Sequence, residues 1–223
     1  MSTFYIPCHT VKLTYVQNPK AANSSIIHSL NKLEGWFDTS ITKHQRMQNK
    51  VRRFKIYRRK HEKEFNDYIK FSFVRDPYTR LCSAFINKVL QPKKVFYGFT
   101  RFGVTKLTSF LEFCQIIKDR SPKLEIHVKP QSMILPSDLD YVGKIETIKH
   151  DWKQIKERWA KDLQEIEHIN KSAITIAPES LLCDDSIKII NDVYREDFTR
   201  FNYKFKNTSS IKENEHCFSI KSY

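Results

Sequence analysis

Val11-Lys12-Leu13-Thr14-Tyr15-Val16-Gln17 runs directly into Asn18-Pro19-Lys20-Ala21-Ala22-Asn23-Ser24-Ser25-Ile26. The first seven residues are β-prone, with partial apolar–polar alternation. The next stretch is small and polar and carries Pro19. From there Ile26, Ile27, Leu30 and Leu33 recur at helical spacing up to Gly35. The order reads as strand, small-residue loop, helix.

A second unit of this kind begins at Tyr68. Ile69, Phe71, Phe73 and Val74 read as a buried strand, and Arg75-Asp76-Pro77 ends it. Asp76 suits a helix N-cap and Pro77 the first helical turn, while Leu81, Ala84, Phe85 and Val89 mark an apolar helix face. Further along, Gln91–Lys106 reads as an irregular loop and Ser109–Lys118 as a helix behind a Ser or Thr cap. His127–Pro136 reads as extended, and Asp140–Gly143 as a short strand. A long charged helix is expected from Glu146 to Ile169, and another helix over Ser186–Tyr194. Strands alternating with helices predict the α/β class, with a central, mainly parallel sheet flanked by helices.

Composition narrows the partners. The chain has 223 residues, with 39 Lys and Arg against 25 Asp and Glu, a formal charge of +14. Aromatic content of 13% and only 4 Gly exclude collagen-like and wholly disordered chains. No apolar stretch approaches the ~18–20 residues of a spanning helix, and Met1–Thr10 lacks an export signal. The expected setting is therefore soluble and cytoplasmic, or the Golgi lumen if a membrane anchor has been removed. Cys8, Cys82, Cys114, Cys183 and Cys217 are scattered, and neither Cys nor His shows metal-ligand spacing, so no structural metal is expected.

The positive charge favours a polyanion: nucleic acid, an anionic glycan or a phosphate-rich cofactor. From Lys43 to Lys63 ten Lys or Arg face one acid, Glu62, with Met47, Val51 and Phe54 at helical spacing. This reads as a basic amphipathic helix, either a substrate-binding face or a solvated surface.

In an α/β sheet, ligands bind beyond the carboxyl ends of strands. Lys20–Ser25 sits at such an end, where loop amides and the helix N-terminus offer donors to an anion. The loop is not a Walker A motif, since the lysine precedes it and glycine is absent. Taken alone it reads rather as a capped helix start with an exposed lysine. In the second unit, Arg75 at a strand end offers a fork of donors to phosphate, with Ser83 two helical turns on. Arg80 reads as a surface or ion-pair residue.

Taken together, Pro19-Lys20 followed by Ser24-Ser25, then Phe73-Val74-Arg75-Asp76-Pro77-Tyr78-Thr79-Arg80-Leu81-Cys82-Ser83-Ala84-Phe85, resemble the two nucleotide motifs of PAPS-dependent sulfotransferases (PAPS, 3′-phosphoadenosine-5′-phosphosulfate). The match is closest to the carbohydrate, Golgi-type group. Three further elements follow in order: His127-Val128-Lys129-Pro130-Gln131, Asp140-Tyr141-Val142-Gly143-Lys144-Ile145-Glu146-Thr147, and Tyr194-Arg195-Glu196-Asp197-Phe198-Thr199-Arg200-Phe201-Asn202-Tyr203. They are similar to that family's H-x-x-P-Q, D-F-I-G-K-x-E and Y-x-x-D-F-x-x-F-x-Y elements.

The resemblance implies a P-loop-like three-layer domain over residues 1–206, with a polar tail at 207–223. It implies PAPS as sulfuryl donor, no metal, and an acceptor hydroxyl on a carbohydrate or other, possibly anionic, molecule. Lys20 would hold the 5′-phosphosulfate and assist bond cleavage, with Ala22, Asn23, Ser24 and Ser25 as further donors. The family often has Gly at the position of Ala22 and Thr or Cys at that of Asn23. Arg75 and Ser83 would bind the 3′-phosphate. The acceptor needs a general base, often found between the two motifs, where His28, His44 and His61 fall. His44 is the chosen base, with His61 next; His61 and His127 are candidate substrate contacts. Glu146 reads as a capping or pairing residue near the sheet, and Tyr194 and Phe198 as core. The competing function is a basic nucleic-acid-binding module without enzymatic activity, although no RNP, KH or helix-turn-helix signature appears.

Overall fold

The computed structural model describes residues 3–35, 57–58 (backbone alone), 65–120, 123–167 and 176–208. His44, His61, Cys217 and most of the Lys43–Lys63 run lie outside the described residues. The chain divides into two compact units, Met1–Val74 with Ile134–Lys171, and Arg75–Met133 with Ser172–Tyr223.

The first unit holds the sheet. Its strands are β1 (Phe4–Cys8), β2 (Leu13–Val16), β3 (Tyr57–Arg58), β4 (Ile69–Val74) and β5 (Tyr141–Lys144), in the order β3-β1-β2-β4-β5. β2, β4 and β5 are parallel, whereas β1 pairs antiparallel with both β2 and β3. The α/β class holds, and the sheet is mixed rather than mainly parallel. The antiparallel strand β1 is not among the elements expected from the sequence, and it contains Pro7. Gln17 N–H donates to Phe4 O at 2.9 Å, which sets the bonded β1–β2 pairs at Phe4, Ile6 and Cys8. The Pro7 nitrogen therefore faces away from β2, and its missing N–H costs that ladder nothing.

Helices α1 (Asn23–Leu33) and α6 (Ile148–Trp159) set Ile26, Leu30, Trp152 and Ile155 against Leu13, Tyr15, Phe71 and Phe73. Each such buried side chain contributes about 1.5–3 kcal/mol. The long helix expected from Glu146 begins as a 3₁₀ turn at Ile145–Thr147 and ends at Ala160. Leu163 turns back into the core, and Trp152 Nε1–H donates to Gln164 O at 2.8 Å. Burial thus overrides a helical pattern that has no local breaker. Asp151 ties this region together, accepting from Tyr141 Oη, Lys144 N and Thr147 Oγ1 at 2.6–2.9 Å.

The second unit is helical. It contains α2 (Pro77–Phe85), α3 (Tyr97–Thr100), α4 (Phe110–Arg120), the first residues of α5 (Gln131–Ile134), α7 (Asp184–Val193) and α8 (Arg195–Arg200). α2 continues as a π-turn over Ile86–Leu90. Lys106 Nζ closes that end, donating to the carbonyls of Val89, Leu90 and Pro92 at 2.6–2.8 Å. Phe113 centres the core, its ring centroid 5.1 Å from that of Phe85 and 5.2 Å from that of Phe99, beside buried Ile187, Tyr194 and Phe198. Ser109 and Glu112 form the reciprocal cap that starts α4. The segment expected to be extended, His127–Pro136, is instead a turn followed by α5. Its cap comes from a distant residue: Asp197 accepts the amides of Gln131 and Ser132 at 2.8 and 2.7 Å.

Candidate active site

In the first unit, the loop after β2 is pinned to the end of β4. Asn18 Nδ2–H donates to Phe73 O at 2.9 Å, and one residue earlier along β4 Ser72 Oγ donates to Val16 O at 2.8 Å. The chain then passes through left-handed backbone at Lys20 (φ 71°) and Ala22 (φ 53°). Ala22 is the N-cap of α1 and contributes no side-chain cap. Its carbonyl accepts from Ser25 and Ile26 at 2.9 and 3.1 Å. Among the described residues, the amides of Ala22, Asn23 and Ser24 donate to no acceptor. The first turn of α1 carries no acid. Lys20, the three amides at the N-cap and first turn of α1, and the two adjacent serine hydroxyls make a donor set for an anion. The left-handed turn at Ala22 is a conformation that glycine adopts without strain.

The second unit opens at Arg75. Asp76 caps α2, its Oδ1 accepting the Thr79 amide at 3.0 Å, with Pro77 in the first turn as expected. Arg75 Nε–H donates to Thr79 Oγ1 at 3.1 Å, laying the side chain along the helix. Ser83 stands one turn beyond Thr79, about 6 Å further along the axis. Among the described residues the half-buried Ser83 hydroxyl has no hydrogen-bond partner. Arg75, Thr79 and Ser83 thus follow one another at four-residue intervals, a cation and hydroxyls on one line.

Arg80 is not a surface residue. It is 2% exposed, and its guanidinium donates to Lys129 O at 2.9 Å and Ile126 O at 3.4 Å. Burial depresses its pKa, and the charge of Asp197 opposes that. With Tyr194, whose hydroxyl donates to Val128 O at 2.6 Å, Arg80 holds the 126–129 turn. Tyr194 and Phe198 are core residues, as expected. This turn places two residues of the H-x-x-P-Q element. Gln131 is buried and bonds the Arg75 peptide twice: Arg75 N–H donates to its Oε1 at 3.0 Å, and its Nε2–H donates to Arg75 O at 2.8 Å.

His127 packs edge-on to Phe96, with Nδ1 2.8 Å from a carboxylate oxygen of Glu125. Glu125 Oε2 also accepts the His127 amide at 2.8 Å. Burial would raise the Glu125 carboxyl, but the bonds and charge of His127, with the charge of Lys88, leave it below its ordinary value. Burial lowers Lys88, whose ammonium sits 4.7 Å from the Phe96 ring centre. Gly98 closes this cluster; a Cβ there would meet the Phe96 ring at 2.5 Å. A carboxylate that fixes one imidazole nitrogen leaves the ring oriented for recognition or proton transfer.

Of the sequence candidates, Lys20, Ala22, Asn23, Ser24 and Ser25 belong to the first unit, and Arg75, Ser83 and His127 to the second. His28 lies on α1 with Nε2 3.7 Å from Glu167. The sequence reading missed Asn18, Thr79, Glu125 and Gln131 as supporting residues, although the last closes a motif it had quoted. Among the described residues no group of three or more His, Cys, Asp or Glu is placed to hold a metal, and no helix is long and apolar enough to cross a membrane.

Searches of curated proteins and of solved structures returned no match. A model of the sulfotransferase family matches residues 4–204, a span that includes the Lys20 loop, the Arg75 turn and the elements that support them. The chain therefore belongs to the sulfotransferase family, that of the carbohydrate, Golgi-type sulfotransferases, enzymes that move a sulfuryl group from a donor to an acceptor hydroxyl.

Proposed function

We propose that the donor is PAPS and that the acceptor hydroxyl is on a carbohydrate. The observation that carries this reading is the donor set at the start of α1: unpaired amides at Ala22, Asn23 and Ser24, preceded by Lys20, with no acid in the first turn of the helix. Such a set fits a 5′-phosphosulfate. Arg75 and Ser83, on one line of α2, fit a second anion, the 3′-phosphate that distinguishes PAPS from ATP. The family match, running through both units, supports reading residues 1–206 as one P-loop-like, three-layer sulfotransferase domain followed by a polar tail at 207–223.

PAPS supplies the sulfuryl group, and the remaining chemistry falls to the protein. Lys20 holds the oxygen on which negative charge develops as the S–O bond breaks, with the amides of Ala22, Asn23 and Ser24 and the hydroxyls of Ser24 and Ser25 fixing the phosphate beside it. His44 takes the proton of the acceptor hydroxyl. His61 and His127 contact the acceptor, and the basic run Lys43–Lys63 suits an anionic glycan.

Thermal stabilisation by 3′-phosphoadenosine-5′-phosphate (PAP), ATP and an oligonucleotide tests the reading. PAP should raise the melting temperature without Mg²⁺, and Arg75→Ala should abolish that response. An equal response to ATP would overturn the assignment, and a response to the oligonucleotide alone would favour the nucleic-acid module. Labelled PAPS with a panel of glycans then identifies the acceptor. His44→Ala should stop turnover and keep PAP binding; an active variant discards His44 as base.

A further inference from the structure

We propose that Gln131 and Thr79 are positioning residues that set selectivity for the 3′-phosphate by holding Arg75 at two points. The proposal rests on reading Arg75 as the 3′-phosphate ligand. An arginine just past the end of a strand has soft backbone dihedrals between its two flanking peptides and a long flexible side chain. Selective binding of one phosphate requires both to be settled before the ligand arrives.

Gln131 settles the peptide. Its amide is matched donor to acceptor with both polar groups of Arg75, at 3.0 and 2.8 Å. Gln131 is itself buried, with its own N–H held by Asp197 Oδ2 at 2.8 Å. Asp197 also fixes the neighbouring Ser132 amide, so the glutamine stands on a rigid support. Thr79 settles the side chain. Its hydroxyl donates to Asp76 O at 3.2 Å, which turns a lone pair toward Arg75 Nε, 3.1 Å away. Nε is thereby committed to the helix that carries Ser83 one turn beyond Thr79. Neither Gln131 nor Thr79 needs to touch the ligand. Both act by lowering the ordering cost that Arg75 would otherwise meet on binding.

The test compares the affinities of PAP and adenosine 5′-monophosphate, which differ by the 3′-phosphate, in the full chain by calorimetry. Wild type should prefer PAP strongly. Thr79→Val and Gln131→Ala should each cut the PAP-to-AMP affinity ratio by about tenfold with AMP affinity unchanged, and Thr79→Ser should restore it. Thr79 is half-buried and its amide remains capped by Asp76, so Thr79→Val keeps the test open if Gln131→Ala fails to fold. An unchanged ratio in a folded Thr79→Val, or an equal loss of both nucleotides, overturns the proposal and leaves the 3′-phosphate reading standing. A wild type with no preference for PAP overturns both.

Discussion

Asn18 Nδ2 donates to Phe73 O at 2.9 Å, so the loop leaving β2 hangs from the last carbonyls of β4. Asn18 is fully buried. Removing its amide leaves a buried carbonyl short of a donor, which costs about 1–3 kcal/mol. Asn18→Ala should lower the urea midpoint accordingly and weaken PAP binding through the Lys20 loop. Asn18→Asp should be worse than Ala, because it sets a carboxylate against that carbonyl. Wild-type stability in Asn18→Ala would show that the bond does not support the loop.

Ala22 carries a Cβ in left-handed backbone, at φ 53°, a conformation costing about 1–2 kcal/mol for a residue other than glycine. Glycine removes that strain and adds about 0.4–1 kcal/mol of unfolded-chain entropy. Ala22→Gly should therefore be neutral to about 1.6 kcal/mol stabilising, the difference of those terms. Ala22→Val should be clearly destabilising, because branching at Cβ worsens the clash. Paired melting curves decide this, and a Gly variant weaker than wild type would count against the strained turn.

How much could be read in advance follows from where each stabilising partner lies. The helix start at Pro77 was legible because Asp76, Pro77 and Thr79 are neighbours in the chain. β2, β4 and the loop Lys20–Ser25 were legible for the same reason: periodicity and small residues are local signals. The support of the site was not. Gln131 meets Arg75 across 56 residues, Asp197 caps Gln131 across 66, and Asn18 reaches Phe73 across 55. No local pattern marks a buried Arg80 bonded to carbonyls of a turn it does not adjoin. Pro7 fits within β1 because its missing N–H faces away from β2, which only the pairing geometry shows.

Gly143 lies opposite Phe73 in the β4–β5 ladder, and a Cβ there would come within 2.5 Å of the Phe73 ring. Gly143→Ala should cost about 1–3 kcal/mol by overpacking. The loss should shrink in a background of Phe73→Leu, where the ring is gone, as a double-mutant cycle on unfolding free energy would register. Additive losses would place the strain elsewhere. Packing thus explains the glycine of the Asp140–Thr147 element, which makes room for a ring on the neighbouring strand.

Glu125 ties stability to acid. Burial pushes its carboxyl up, while His127 and the charge of Lys88 more than offset this and leave it below its ordinary value of about 4.3. At neutral pH both folded and unfolded chains are ionised here and the native advantage is complete. As pH falls below the ordinary value, the unfolded chain takes up the proton first, and the advantage drains away through the lowered native pKa. Glu125→Gln should be about 1–3 kcal/mol less stable than wild type at pH 7, from the loss of charge-assisted bonds to His127. The gap between the two urea midpoints should narrow toward pH 3, because wild type alone loses this contribution. A gap of constant size from pH 7 to pH 3 would mean that the carboxylate charge is not what holds His127.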